Sequence, residues 1–114
     1  MNISQFISKN IFTLANDGGN GDMSISKVFC CDLLSIAMGK APEGCAWVTV
    51  MGNSNTLAVA TLTQAACILF AEGVQLDDAA LDKAKEHNIT VMYTELPIFD
   101  AALAVHQLIQ ESLT

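Results

Sequence analysis

The fold is decided by the stretch Cys45-Ala46-Trp47-Val48-Thr49-Val50-Met51 and by the corner Gly52-Asn53-Ser54-Asn55 that follows it. The seven residues of the stretch are almost all apolar and include two valines, which is typical of a strand buried on both faces of a sheet. The glycine and small polar residues of the corner end this strand, and a helix is predicted over residues 56–65. A buried strand that leads straight into a helix is one unit of an α/β fold with a parallel sheet.

The same alternation continues in both directions along the chain. Towards the N-terminus, a strand is predicted over residues 25–31 and a helix over residues 33–40. Before them, a short helix and a brief strand at residues 11–14 add an edge to the sheet. The Gly, Asn and Asp residues of 16–22 indicate a loop, the one segment with the composition of a mobile region. Towards the C-terminus, strand, helix, strand and helix are predicted in turn at 67–70, 77–87, 89–93 and from Pro97 onwards.

This alternation predicts an α/β protein with a mostly parallel sheet of about five strands and helices on its faces. A length of 114 residues fits one domain over residues 1–114. Apolar residues make up 52% of the chain and charged residues only 15%. That charged share is low for the surface of a monomer, so we expect a second copy of the chain to cover some apolar surface.

The charge balance excludes several classes of partner. Twelve acidic residues face five lysines and no arginine, and the formal net charge is −7. Binding to nucleic acids and to anionic membranes relies on clustered lysine and arginine, so neither is expected.

No run approaches the ~18 apolar residues of a transmembrane helix, and the N-terminus lacks the basic start of a signal peptide. The sequence therefore predicts a cytoplasmic protein.

The four cysteines, Cys30, Cys31, Cys45 and Cys67, lie in apolar stretches. In a cytoplasmic protein they are expected to be reduced thiols packed in the core. The chain has no Cys-x-x-Cys pair, and neither histidine is close to a cysteine in sequence, so no metal ion or other cofactor is predicted. No nucleophile with a neighbouring base can be picked out, so no enzymatic activity is predicted either.

Several segments within residues 25–110 resemble small proteins of the DRTGG domain family. Each segment alone is weakly specific, but their order and spacing together are characteristic. In chain order they are Cys31-Asp32-Leu33-Leu34-Ser35, Glu43-Gly44-Cys45-Ala46-Trp47-Val48-Thr49-Val50, Asn55-Thr56-Leu57-Ala58-Val59-Ala60, Glu72-Gly73, Asn88-Ile89-Thr90-Val91, Thr94-Glu95-Leu96 and Phe99-Asp100-Ala101-Ala102.

The resemblance implies the α/β fold of the N-terminal domain of HPr kinase/phosphorylase. DRTGG domains also occur beside CBS domains in regulated pyrophosphatases, where adenine nucleotides bind, and they act as regulatory or dimer-forming modules. Stand-alone members accompany genes of iron-only hydrogenases. The chain has no Gly-x-x-x-x-Gly-Lys-[Ser/Thr] phosphate loop, so kinase chemistry is not carried over. It also lacks the literal string Asp-Arg-Thr-Gly-Gly, so no arginine contact to a nucleotide is carried over.

Two strand-to-helix corners and the end of the last strand supply the candidate ligand-binding residues. In a parallel α/β sheet, ligands bind outside the carboxyl ends of the strands. The first corner holds Asp32 and Ser35, and Thr94 follows the last strand. The second corner offers small polar side chains and free backbone donors, namely Asn53, Ser54, Asn55 and Thr56. A simpler interpretation stays open for both corners, in which Asp32 and a residue of the second corner only cap helices.

Two functions are compatible with these observations. The first is a non-catalytic regulatory or small-ligand-sensing domain that acts as a homodimer and binds a ligand resembling an adenine nucleotide. The second is a protein-binding accessory factor of a redox complex of the hydrogenase type, whose acidic surface steers a basic partner.

Overall fold

Strands and helices alternate along the chain in the computed structural model, which describes residues 1–113. The helices are α1 (Ile3–Ser8), α2 (Leu34–Lys40), α3 (Ser54–Thr63), α4 (Asp78–Glu86) and α5 (Ile98–Ser112). The strands are β1 (Thr13–Asn16), β2 (Val28–Cys30), β3 (Ala46–Thr49), β4 (Cys67–Phe70) and β5 (Val91–Tyr93).

The strands form one sheet in the order β1-β5-β4-β3-β2. Strands β2 to β5 run parallel to one another, and β1 pairs antiparallel with β5 at one edge. This arrangement confirms the predicted α/β class and the mostly parallel sheet of about five strands. It also leaves β2 as the opposite, open edge.

Helices cover both faces of the sheet. Helices α1 and α5 pack on one face, where Ala46 and Val48 of β3 point. Helices α2, α3 and α4 pack on the other face, together with Trp47. All four residues of β3 are buried, as the apolar stretch predicts. The right-handed crossovers of a parallel sheet require helices on its faces, so this layering follows from the strand–helix alternation.

Strand β2 is shorter than predicted, because only Val28–Cys30 of the predicted residues 25–31 pair with β3. Before it, the amides of Ile25 and Ser26 donate to carbonyls of Met1 and Gly44 instead of a neighbouring strand. The prediction that all four cysteines lie in the core is wrong for Cys30, which is exposed, and Cys31 is only half-buried. Both lie at the end of an edge strand, where one side of the backbone has no neighbour.

The predicted loop of residues 16–22 begins inside β1, and its residues 17–22 are tied to the segments before β4 and β5 by three hydrogen bonds. The amide of Gly18 donates to Thr90 Oγ1 (3.0 Å), and the Thr90 hydroxyl donates to Asn20 Oδ1 (2.6 Å). The Asn20 amide group then donates to the carbonyl of Ala66 (2.9 Å). Residues that favour turns are therefore used here to anchor a loop against the amino-terminal ends of β4 and β5.

Helices α1 and α5 meet at one end of the molecule. The Met1 ammonium group donates to Ser112 Oγ at 3.3 Å, so the chain enters and leaves the fold at neighbouring points. No helix within residues 1–113 is both long and apolar enough to cross a membrane.

Candidate functional site

The carboxyl ends of β2 to β5 lie along one edge of the sheet because these strands run parallel. The sequence-predicted residues follow these strand ends, with Asp32 after β2, Asn53 after β3 and Thr94 after β5. Neighbouring strands are about 4.8 Å apart, so β2 and β3 are adjacent at this edge whereas β3 and β5 are separated by about 10 Å.

Asp32 joins the ends of β2 and β3. Its Oδ1 accepts hydrogen bonds from Thr49 Oγ1 (2.6 Å) and from the amide of Val50 (3.0 Å). The indole of Trp47 donates to the carbonyl of Cys31 at 3.0 Å and fixes the same turn from the other side. We call the turn of residues 31–33 the Asp32 corner. The carboxylate is exposed, and its Oδ2 has no hydrogen bond to any residue of 1–113.

The alternative interpretation of Asp32 as a helix cap is wrong. The N-cap of α2 is Leu33, and no side chain caps this helix. Asp32 lies one residue too early in the chain, and its carboxylate turns towards β3 instead. Ser35 lies exposed in the first turn of α2.

Partial burial and, second, the Asp32 carboxylate raise the pKa of the neighbouring Cys30 thiol, so this thiol stays protonated near neutral pH.

At the second corner, capping is confirmed for Asn53. Its Oδ1 accepts from the amides of Asn55 (2.9 Å) and Thr56 (3.3 Å) at the start of α3. Thr56 is buried, and its hydroxyl donates to the carbonyl of Met51 at 2.6 Å. Two of the backbone donors at this helix start, the amides of Asn55 and Thr56, are therefore already used by the protein. Among the four predicted residues, Ser54 and Asn55 keep side chains that no intramolecular hydrogen bond within residues 1–113 occupies.

Thr94 lies away from the Asp32 corner. Its Oγ1 accepts from the amide of Leu96 (3.2 Å), and its carbonyl accepts from Gly73 (3.0 Å). It lines a cavity of about 80 Å³ together with Thr13, Tyr93 and Glu95. A water molecule takes about 30 Å³ in the liquid, so this cavity has room for roughly two or three water molecules and is too small for a nucleotide.

The carboxyl edge of the sheet is acidic. Besides Asp32, it carries Glu72 after β4 and Glu95 after β5. Glu72 Oε2 accepts from the amide of Ile98 at 2.9 Å, where a carboxylate at the start of α5 is favourable. The three carboxylates repel phosphate groups and attract hydroxyl, amino and ammonium donors. No group of three or more histidine, cysteine or acidic residues within 1–113 is close enough together to hold a metal ion.

A groove between α3 and α4 is the feature that sequence reasoning missed. It has a volume of about 410 Å³ and is lined by Ser54 and Asn55 of the predicted site, and also by Lys83 and His87 of α4. We call it the α3–α4 groove. The four-residue spacing of Lys83 and His87 is a signal that the sequence does contain, because such residues lie on one side of a helix. The packing of α3 beside α4, which forms the groove, has no local signal.

These features define an α/β domain with a five-stranded, mostly parallel sheet, an acidic carboxyl edge and a groove between two of its helices. Its fold matches the crystal structure of the CBS and DRTGG domains of the regulatory region of a pyrophosphatase from Clostridium perfringens, complexed with the activator diadenosine tetraphosphate. The TM-score is 0.70 and the sequence identity 16%, and the match covers 88% of this chain and 44% of that one.

This likeness confirms the fold that the resemblance to DRTGG domains implies, and the matched share fits the DRTGG domain of that regulatory region. The chain spans less than half the length of the regulatory region that it matches. A scan against protein-family models and a search of curated proteins give no match.

Proposed function

We propose that this chain is a non-catalytic, cytoplasmic regulatory domain that senses a small ligand resembling an adenine nucleotide and acts as a homodimer. The observation that carries the ligand part is the exposed carboxylate of Asp32, held at the carboxyl edge of a parallel sheet by Thr49 and Val50. The comparison also supports the ligand part, because this chain shares its fold with a regulatory region that is complexed with a nucleotide activator.

The Asp32 corner suits the nucleoside part of such a ligand. The unoccupied Oδ2 can accept hydrogen bonds from the two hydroxyls of a ribose, as carboxylates do at the corresponding edge of dinucleotide-binding folds. Its position is fixed by hydrogen bonds, so little conformational entropy is lost when a ligand binds. Phosphates would extend away from the carboxylates towards Ser54 and Asn55, whose side chains have free hydrogen-bonding capacity.

Calorimetric titration with adenosine, AMP and diadenosine tetraphosphate tests this proposal. We expect adenosine to bind and Asp32→Asn to weaken binding about tenfold, because an amide keeps the bonds to Thr49 and Val50 but loses the charge-assisted bonds to ribose. Asp82→Asn on α4 is the matched control and should leave binding unchanged. Absence of heat with all three ligands at millimolar concentration, or an equal loss in the control, would contradict the proposal.

The homodimer part of the proposal is carried by apolar side chains around the open edge strand β2. On α5, Leu108 and Ser112 face α1, since they line a cavity with Met1 and Gln5. Helical periodicity places Phe99 on the opposite side of α5, towards β2. Phe99 is 69% exposed, and Ile36 and Met38 are exposed on α2, which follows β2 directly. A second copy would cover these residues and the free backbone groups of β2.

Light scattering after size exclusion separates the homodimer from the second candidate function. We expect twice the mass of the chain for the wild type, and the mass of one chain for the double variant Ile36→Glu, Phe99→Glu, because two buried carboxylates on each subunit oppose association. Leu62→Glu, an exposed leucine on α3, is the control and should remain dimeric. A wild-type monomer would favour the alternative, in which the same apolar surface binds another protein of a redox complex.

A further inference from the structure

The α3–α4 groove brings a lysine and a histidine together in a chain that has few basic residues. The sequence has five lysines, two histidines and no arginine, against twelve acidic residues. Lys83 and His87 lie four residues apart on α4 and both line the groove. Neither side chain makes a hydrogen bond or ion pair with another residue of 1–113. An unpaired lysine and histidine in one groove of an acidic protein favour an anion there.

The opposite wall of the groove, on α3, is mixed, with an apolar part of Leu57, Ala58 and Leu62 and polar side chains of Ser54, Asn55 and Thr61. Leu57 is buried, whereas the Leu62 side chain is 70% exposed. Covering the exposed leucine with the apolar part of a bound molecule removes apolar surface from water and favours binding. The groove volume of about 410 Å³ lies within the usual range for small-molecule sites, roughly 300–1,000 Å³.

We infer that the α3–α4 groove binds a small organic anion with an aliphatic body, of the size of a medium-chain carboxylate. The carboxylate lies at Lys83 and His87, and the aliphatic chain lies along Ala58 and Leu62. From Ser54 to Leu62, α3 rises about 12 Å at 1.5 Å per residue, long enough for an extended chain of eight carbons. The inference rests on Lys83, Ala58 and Leu62 and not on Asp32, although the phosphates of the proposed nucleotide would reach Ser54 and Asn55 at the start of the same groove.

An NMR titration of the uniformly ¹⁵N-labelled chain with octanoate tests the inference. We expect saturable shifts of the amides of Ala58, Thr61 and His87. Octan-1-ol has the same body without charge and acetate has the charge without the body, and each should bind at least about fivefold more weakly than octanoate. Equal binding of octanol and octanoate, shifts confined to other parts of the chain, or no shift at millimolar octanoate would overturn the inference.

Three variants assign the binding to the groove. Lys83→Gln should weaken octanoate binding about fivefold, a value that allows for the solvent exposure of the lysine. Lys85→Gln removes the same charge from the same helix outside the groove and should have no effect. Ala58→Phe fills the groove from an exposed helix position and should abolish binding while the rest of the spectrum keeps its dispersion. An equal effect of Lys83→Gln and Lys85→Gln would overturn the assignment.

Asp32→Asn separates this inference from the proposed function. This variant should bind octanoate like the wild type while it loses affinity for adenosine. Loss of octanoate binding in Asp32→Asn would mean that the two ligands share one site, which contradicts an independent groove.

Discussion

Replacing Gly18 by alanine is expected to lower the free energy of unfolding by about 4 kcal/mol. A Cβ at this position would lie 2.4 Å from the carbonyl oxygen of Asn88 and 2.7 Å from the amide nitrogen of Thr90, and both are backbone atoms that cannot rotate away. Overpacking of this kind costs about 1–3 kcal/mol. The loop would also lose the bonds that link Gly18, Thr90 and Asn20, at about 1 kcal/mol each.

Two other glycines supply controls for this prediction, which urea unfolding would measure. At Gly19, with φ of +75° and no atom within 4 Å of a Cβ, alanine should cost only the strain of a left-handed residue, about 1–2 kcal/mol. At Gly39, in α2 and also without neighbours, alanine should stabilise the fold by up to about 1 kcal/mol. If Gly18→Ala costs no more than Gly19→Ala, the loop is not packed on β5 as described.

Above pH 9 the free energy of unfolding is expected to fall steeply because of Cys45 and Cys67. Burial raises the pKa of the Cys45 thiol from 9.0 to about 11. Burial and, second, the neighbouring Cys45 raise the pKa of Cys67 to about 12. Both thiols are fully buried or nearly so, at 0% and 1% exposure. In the unfolded chain they ionise near pH 9, whereas the folded chain keeps them protonated.

The sign of the pH dependence follows from proton binding. Between pH 9 and about 11, the unfolded state binds fewer protons than the folded state, so stability decreases as pH rises. Each thiol contributes about 1.4 kcal/mol per pH unit, or about 3 kcal/mol per unit for the pair. Below pH 9 both states hold neutral thiols, and this contribution to stability is fully present.

Urea unfolding from about pH 8 to about pH 10.5 measures this slope. The double variant Cys45→Ala, Cys67→Ala should be less stable at pH 8 but should have a shallower alkaline slope by about 3 kcal/mol per unit. Val48→Ala is a matched control, because it truncates a buried side chain of β3, which follows Cys45 and pairs with β4, and keeps both thiols, so it should retain the wild-type slope. A double variant with the wild-type slope would show that other groups cause the alkaline loss.

The parts of the fold that are buried on both sides were predictable from the sequence. Strand β4 agrees with its predicted bounds residue for residue, since a continuous apolar run between two helices has few alternatives. The start of β2 was not predictable, because the hydrogen bonds from Ile25 to Met1 and from Ser26 to Gly44 depend on segments far apart in the chain. Cys30 is exposed because β2 lies at the edge of the sheet, and the strand order that puts it there is also non-local.

The candidate site was predictable at the level of the sheet edge and not at the level of contacts. Parallel strands bring Asp32 and Asn53 to one edge whatever their side chains do. Whether Asp32 caps α2 or bonds to Thr49 depends on the direction of its carboxylate, which local propensity does not determine. The distance between β3 and β5 that separates Thr94 from the Asp32 corner follows from the strand order, which alternation of elements alone does not specify.

The contact between the Met1 ammonium group and Ser112 has a consequence for protein engineering. A fold whose ends are adjacent can be inserted into an exposed loop of a host protein without stretching either the host or the guest. Such a unit can also be circularly permuted, with the old ends joined by a short linker and new ones opened at an exposed turn. Insertion would carry any ligand-dependent change of stability in this domain directly into the host chain, which is the arrangement that a biosensor requires.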